Sequence, residues 1–186
     1  LYYAGDKTDV DLTMDWTDQD NTPPHPQLGN IMDGWSTAFG VGPIAAAGGL
    51  YLWPAERHDR LGRDTTTSLD KEMLETSVVE GTSLKITRET GLGELKLTVA
   101  RRKLDWDDQL DMDGTPYPIF HTERHTTYSS NTVELQLTGS TDSMSYVAGY
   151  YKFDDDAFTF NPQRIFGGGS SIDQNYSGGG EATAVY

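Results

Sequence analysis

The sequence predicts an all-β fold, a partial antiparallel up-and-down transmembrane β-barrel with about five full strands, two partial ends and long external loops. Three observations indicate this fold. Apolar and polar residues alternate with a period of two in several segments, no apolar run is long enough for a membrane helix, and short connections alternate with long ones. Because 186 residues suit one unit, we expect residues 1–186 to form a single stretch of barrel wall.

Residues 9–18 show the strictest alternation. Val10, Leu12, Met14 and Trp16 fall on one side of an extended chain, and aspartates and threonines fall on the other. A strand of about ten residues is long enough to cross a bilayer at a tilt. The same period recurs, more weakly in the last case, in residues 84–86, 95–99, 133–137 and 144–153.

In a barrel wall, the apolar side chains of such strands face lipid and the polar side chains face a wet interior. Backbone hydrogen bonds then join each strand to its neighbours. The side chains that we expect to face lipid are Val10, Leu12, Leu95, Leu97, Leu135 and Leu137. The side chains that we expect to face the interior are Asp11, Asp15, Lys85, Lys96, Glu134 and Gln136.

Composition excludes several classes of protein. No segment approaches the roughly 18 consecutive apolar residues of a membrane helix, and the mean hydropathy is -0.58, so a helical membrane protein is excluded. The 14 Lys and Arg residues against 29 Asp and Glu residues give a net charge of -15, which opposes binding to nucleic acid. The absence of cysteine excludes disulfides, thiolate metal sites and a cysteine nucleophile.

The connections between the alternating segments differ in length. Short ones, rich in Gly, Asp and Ser, suit tight hairpins, and long ones suit the external loops of an outer-membrane barrel. The expected short turns are residues 4–8, 90–93 and 139–143. The expected long loops are residues 19–76, 108–125 and 154–180.

Both ends of the sequence read as interrupted strands. Leu1, Tyr2 and Tyr3 resemble the tail of a strand, no initiator Met or signal peptide precedes them, and residues 181–186 stop inside another alternating run. We therefore expect this sequence to be a piece of a longer protein.

Three segments carry a resemblance to a known family. Residues 103–116 (KLDWDDQLDMDGTP), 133–140 (VELQLTGS) and 146–153 (YVAGYYKF) resemble successive barrel strands of TonB-dependent outer-membrane receptors, in the same order and with similar spacing. Residues 17–24 (TDQDNTPP) are similar to a strand top of that family entering a loop. The resemblance covers most of the chain and is poorest in residues 26–70.

The resemblance implies energy-coupled import, across the bacterial outer membrane, of a scarce and bulky nutrient such as a ferric siderophore or cobalamin. It implies three partners, namely outer-membrane lipid, a small-molecule ligand and TonB, and it implies no cofactor. In this family TonB engages a short N-terminal segment that accompanies a plug domain, and neither is found in residues 1–186. A full barrel of this class has about 22 strands.

The candidate ligand-binding residues lie in the expected loops. Trp35 and Trp53 fall in the longest loop, where they either contact a ligand or pack the loop over the barrel mouth. Acidic side chains in and beside the next loop are expected to shape the electric field at the mouth. These are Asp107, Asp108, Asp111 and Asp113.

No metal site is expected. Residues 109–114 resemble the start of a calcium loop, but Gln109 holds the first ligand position and Phe120 the twelfth. His121 and His125 have the spacing of a helical metal pair, yet their hydroxyl and aromatic neighbours favour an extended chain, in which four residues span about 13 Å. The glycine runs at residues 167–169 and 178–180 are interpreted as flexible external loop.

Two other classes of function stay open. The first is a soluble β-rich module that binds glycans through Trp35, Trp53 and Tyr117. The second is a hydrolytic enzyme that uses the carboxylates between Asp105 and Asp113, which requires those carboxylates to converge on one pocket.

Overall fold

A computed structural model describes residues 1–23, 71–114 and 118–186, and this part of the chain is all-β. No helix in the described part is long and apolar enough to cross a membrane. The strands are β1 (Tyr2–Ala4), β2 (Thr8–Asn21), β3 (Leu74–Thr90), β4 (Gly93–Asp111), β5 (Phe120–Ser140), β6 (Ser145–Ile165) and β7 (Ser170–Val185).

The seven strands form one antiparallel sheet in the order in which they follow one another in the chain. Each of the strands β2 to β6 therefore pairs with the strand before it and the strand after it, which is the up-and-down order that the sequence predicts. The sheet is open, with β1 and β7 at its two edges. The all-β, antiparallel class is thus confirmed, and closure into a barrel is not part of the described structure.

The register separates the side chains onto two faces. We name the face that carries Val10, Leu97 and Leu135 the banded face, and the face that carries Asp15 and Glu134 the polar face. Residues directly opposite each other on neighbouring strands point to the same side, and the side changes with each residue. All twelve residues expected to face lipid or the interior, six of each, fall on the face that alternation assigns to them.

An apolar band crosses the banded face as adjoining rows of side chains. Its central row is apolar in all six of the strands that it crosses, and it consists of Val10, Ile86, Leu97, Leu135, Tyr150 and Val185. The row on one side contains Leu12, Leu84, Val99 and Val133 and continues to Lys152 in β6, and the row on the other side contains Leu95, Leu137 and Ala148 and continues to Arg88 in β3. At about 3.3 Å per residue, the two outer rows are separated by roughly 13 Å along the strands.

The described residues contain almost no hydrophobic core. Met73 and Ile119, in connections, are buried together with Pro23 and Pro162, and all four lie toward one end of the sheet. By contrast, Leu135 in the centre of the apolar band is 41% exposed and Val99 is 40% exposed. Because the described sheet is a single layer, no other described part of the protein packs against its apolar band.

The strands are longer than the alternating segments that predict them. β5 and β6 each contain 21 residues, about twice the length needed for one tilted crossing. The expected loop at residues 108–125 is correspondingly shorter, because β4 continues to Asp111 and β5 begins at Phe120. Pairing with neighbours on both sides holds these polar strand ends in extended form.

The expected long loop at residues 154–180 is wrong. β6 continues through three aspartates to Ile165, and β7 begins at Ser170 and pairs with β6 along its whole length. The glycines at residues 178–180 lie within β7 opposite residues 155–157 instead of in a loop. The rule of short turns at one end and long loops at the other therefore fails between β6 and β7.

The glycine run at residues 167–169 forms the turn between these two strands. Gly167 and Gly168 have φ values of 63° and 88°, in the left-handed region that glycine adopts without strain. Phe166 precedes them with a φ of 54°. Residues 167–169 therefore lie in a connection, as expected, and this connection is a short turn between β6 and β7.

Candidate ligand-binding face

A charged cluster lies on the polar face near the ends of β4 and β5. Arg124 donates hydrogen bonds from Nε to both carboxylate oxygens of Asp108, each at 3.1 Å, and a further one from Nη2. The guanidinium also lies 4.7 Å from the centre of the Trp106 ring, at a cation–π distance. Asp108 is 6% exposed, so this pair largely neutralises a carboxylate that is removed from water.

The hydrogen bonds with Asp108 raise the pKa of Arg124 above its ordinary value, and this effect outweighs the opposing effect of burial. Arg124 lies nine residues from Val133 along β5, well beyond the apolar band. The guanidinium therefore stays charged, and it contacts both the Trp106 ring and the Asp108 carboxylate.

Beside this cluster, a run of neutral polar side chains crosses β5, β6 and β7 on the same face. We name it the amide–hydroxyl patch, and it consists of Thr122, Thr126, Thr159, Asn161, Gln163, Gln174 and Tyr176. Thr122 Oγ1 donates to Asn161 Oδ1 at 2.7 Å, and the hydroxyls of Thr126 and Thr159 are 3.0 Å apart. These contacts join β5 to β6 at side-chain level.

Gln174 is the centre of the patch. Its Oε1 accepts from Tyr176 Oη at 2.8 Å, from Gln163 Nε2 at 3.4 Å and from Asn161 Nδ2 at 3.5 Å. With the carbonyl oxygen engaged by three donors, both N–H groups of the Gln174 amide lack a partner within the described residues and are available to solvent or a ligand.

A shallow hollow also lies on the polar face. Along the strands, it is closer than the charged cluster to the level of the apolar band on the opposite face. It has a volume of about 360 Å³. Its lining includes Gly81, Ser83, Ala100 and Ser130, whose side chains are small. The Arg102–Asp15 ion pair lies at the same place.

The four acids expected to act together are divided by the sheet. Asp107 points to the banded face, where its Oδ1 is 2.8 Å from His125 Nδ1, whereas Asp108 points to the polar face. Asp111 and Asp113 lie at the end of β4, where they stabilise the connection to β5. The four acids are thus divided among the two faces and the connection, although Asp107 and Asp108 line one pocket and Asp105 lies with Asp107 beside His125. Their expected effect on the electric field at a mouth stays a prediction.

The loop after β4 uses its acids as hydrogen-bond acceptors. Asp111 is fully buried, and its Oδ1 accepts from the backbone N–H groups of Asp113 at 3.0 Å and Gly114 at 3.1 Å. Asp113 Oδ2 accepts from the N–H of Phe120 at 2.8 Å. Gln109, the first position of the calcium-like motif, instead donates to the carbonyl of Glu72.

Two groups of side chains have the donor types and spacing that a metal ion requires, with ligand atoms within 4.8 Å of one another. One contains Asp105, Asp107 and His125, and the other contains Asp111, Asp113 and His121. The two histidines thus belong to separate groups, and both lie in β5 as the extended chain predicts.

Other expected site residues lie outside the described part of the chain. These are Trp35, Trp53 and Tyr117. Their roles as ligand contacts stay predictions.

Sequence analysis missed the amide–hydroxyl patch because residues 154–180 were interpreted as a loop. A signal for the strand was present. Phe158 and Phe160 alternate with Ala157, Thr159 and Asn161, which continues the period of two beyond the three aspartates.

Comparison with known proteins adds no relative. No protein-family model, curated protein or solved structure matches this chain.

Proposed function

We propose that this chain is part of the wall of a bacterial TonB-dependent outer-membrane receptor, which imports a scarce nutrient such as a ferric siderophore, cobalamin or another bulky ligand. The observation that carries the proposal is a broad one-layer antiparallel sheet with an apolar band on one face and polar side chains on the other. The sequence resemblance of residues 103–116, 133–140 and 146–153 supports the choice of family.

The apolar band suits a lipid environment. Its central row is apolar in six neighbouring strands, and about 25 cal/mol is gained for each Å² of apolar surface that leaves water. Tyr146 lies one row beyond the band on one side, and Trp16 lies two rows beyond it on the other. Aromatic side chains at such margins favour the lipid–water interface.

The polar face suits a water-filled interior. It presents the Arg102–Asp15 pair, Lys96 and Glu134 at the level of the apolar band or directly beside it. Charged side chains at this depth are stable when they face an aqueous lumen. The strand ends beyond the band then form the part of the wall that an incoming ligand meets first, and TonB engages another part of the receptor.

Site-directed spin labelling tests this orientation directly, because the chain has no cysteine of its own. Single cysteines at Leu95, Lys96, Leu97 and Gln136 are labelled after reconstitution of the chain into lipid vesicles. Labels at residues 95 and 97 should be more accessible to oxygen, which dissolves in lipid, and labels at residues 96 and 136 more accessible to a water-soluble nickel complex. Equal accessibility of adjacent positions to both reagents would contradict a membrane-spanning wall.

Transport is tested in the complete receptor. Deletion of β4 and β5 should abolish TonB-dependent uptake of a ferric siderophore or cobalamin, while a receptor with Met112→Ala in the connection should retain uptake. If the deleted receptor imports the nutrient at the normal rate, this stretch is not part of the transport wall.

A further inference from the structure

The amide–hydroxyl patch differs in charge from the rest of the chain. The chain has 29 acidic residues and a net charge of -15. Yet this part of the polar face, which comprises Thr122 to Tyr128 of β5 and the residues of β6 and β7 that pair with them, carries one charged group. That group is Arg124, which Asp108 neutralises. A ligand that lies on this patch therefore meets a surface without net charge.

The patch also offers both kinds of hydrogen-bonding group. Amides present N–H donors and carbonyl acceptors, and hydroxyls present both at once. The amide nitrogens of Asn161 and Gln163 lie 3.5 Å and 3.4 Å from the carbonyl oxygen of Gln174, so the three amides form an adjacent array on this face. Such an array matches a ligand with many hydroxyl groups, since each hydroxyl also donates and accepts.

An exposed aromatic ring stands at one side of the array. Tyr176 is 55% exposed, and its hydroxyl donates to Gln174 Oε1 at 2.8 Å. The next residue on the same face of β7 is Gly178, where an added Cβ would meet no atom within 4 Å. Its partner on β6 is Ala157, so the space beside the tyrosine ring is open.

We infer that the amide–hydroxyl patch binds a neutral polyhydroxylated ligand, an uncharged oligosaccharide, with a sugar ring against Tyr176 and its hydroxyl groups on the amides of Gln174 and Asn161. A pyranose ring combines an apolar C–H face with a rim of hydroxyls, and so matches an aromatic ring beside neutral amides. The inference rests on the proposed function, because it places this cargo on the lumenal side of the wall.

Isothermal titration calorimetry of the full chain in detergent tests the inference with three probes. Maltohexaose and cellohexaose are neutral, and hexagalacturonate has the same size with a charge on every ring. At least one neutral hexasaccharide should bind, with a dissociation constant at or below about 1 mM, and hexagalacturonate should bind more weakly. Gln174→Ala and Tyr176→Ala should each reduce affinity by about five-fold or more, as expected for the loss of a hydrogen bond or a ring contact.

Asn175→Ala is the matched control, because residue 175 is the neighbour of Gln174 and points to the banded face. It should leave the affinity unchanged. The inference is overturned by three results: a dissociation constant above about 1 mM for both neutral probes, tighter binding of hexagalacturonate, or equal losses in the Gln174→Ala and Asn175→Ala variants.

The spin labels at Leu97 and Lys96 separate this inference from the proposed function. If residue 97 is exposed to lipid but neither neutral sugar binds, the sugar site is refuted and the proposed barrel wall is supported. If a neutral sugar binds but residue 97 is not exposed to lipid, the sugar site is supported and the proposed barrel wall is refuted.

Discussion

The guanidinium of Arg102 in β4 reaches the carboxylate of Asp15 in β2 across Gly81 in β3, with Nη2 3.0 Å from Oδ2. An added Cβ at residue 81 would lie 2.2 Å from Asp15 Oδ1, so the aspartate side chain occupies the space that glycine leaves. The pair thus links two strands that are not neighbours in the sheet.

Gly81→Ala should displace the Asp15 carboxylate and break this ion pair. Both partners are at least half exposed, so we expect a loss of about 1 kcal/mol or less in the free energy of unfolding, measured by urea titration in detergent. Ser83→Ala, two residues along the same face of β3, is the control. In an Asp15→Ala background the effect of Gly81→Ala should vanish, and an equal loss in both backgrounds would refute the link.

Leu12→Arg should impair membrane assembly far more than Asp11→Arg. Leu12 lies in the apolar band and Asp11 is its neighbour on the polar face. An arginine exposed to lipid near the midplane costs roughly 2–4 kcal/mol, whereas a lumenal arginine stays hydrated. Heat-modifiable migration on gels measures the folded fraction, and equal loss of that fraction in the two variants would contradict the orientation.

The two ends of the sheet should lie on opposite sides of the membrane. The turns near Gly5, Gly91 and Gly139 are at one end, and Gly114 and Gly168 are at the other. In intact cells, a membrane-impermeant maleimide should label cysteines at Gly114 and Gly168 and leave those at Gly91 and Gly139 unlabelled until the cells are opened. The reverse pattern would invert the topology.

Asp107 and Asp108 should respond differently to replacement by asparagine. Asp108→Asn leaves Arg124 without its partner in a largely buried site, and because Arg124 is 38% exposed we expect a loss of about 2 kcal/mol of stability. Asp107→Asn alters an exposed contact with His125 and should change stability by about 0.5 kcal/mol or less. The midpoints of urea unfolding in detergent measure both effects.

Cargo binding by the complete receptor gives the same pair of variants a functional readout. Asp108→Asn should weaken binding because it loosens the group of Arg124 and Trp106 beside the amide–hydroxyl patch. Asp107→Asn should not, since that side chain points to the banded face. If Asp107→Asn weakens binding as much as Asp108→Asn does, the two acids act as one group at the mouth, as their nearness in sequence predicts.

Alternation alone predicted the separation of the two faces. It could do so because a period of two needs only local information, and Val10, Leu97 and Leu135 obey it wherever the strands pair. The same reasoning also divides Asp107 from Asp108. Sequence analysis grouped the two acids by nearness along the chain, and adjacent residues in a strand are the ones that point apart.

The three aspartates in the middle of β6 and nearly all of β7 could not be predicted in this way. Asp154, Asp155 and Asp156 followed by two runs of three glycines have low intrinsic preference for strands. Their extended form depends on neighbours on the adjacent strands, such as Asn131, whose amide donates to Asp154 at 2.8 Å. Asp155 Oδ1 likewise accepts from the N–H of Gly180 at 2.7 Å. A pattern of residues within one segment contains no information about such contacts between distant segments.

The edge strand β7 presents a bare row of backbone N–H and C=O groups along Ser170–Val185, since within the described sheet only β6 pairs with it. In water, a second copy can add a strand to this row at little steric cost, because three successive glycines leave residues 178–180 without side chains. Without lipid or detergent, purified chains should therefore join edge to edge into ribbons that bind thioflavin T. A single proline at an N–H that points away from β6 should slow that growth.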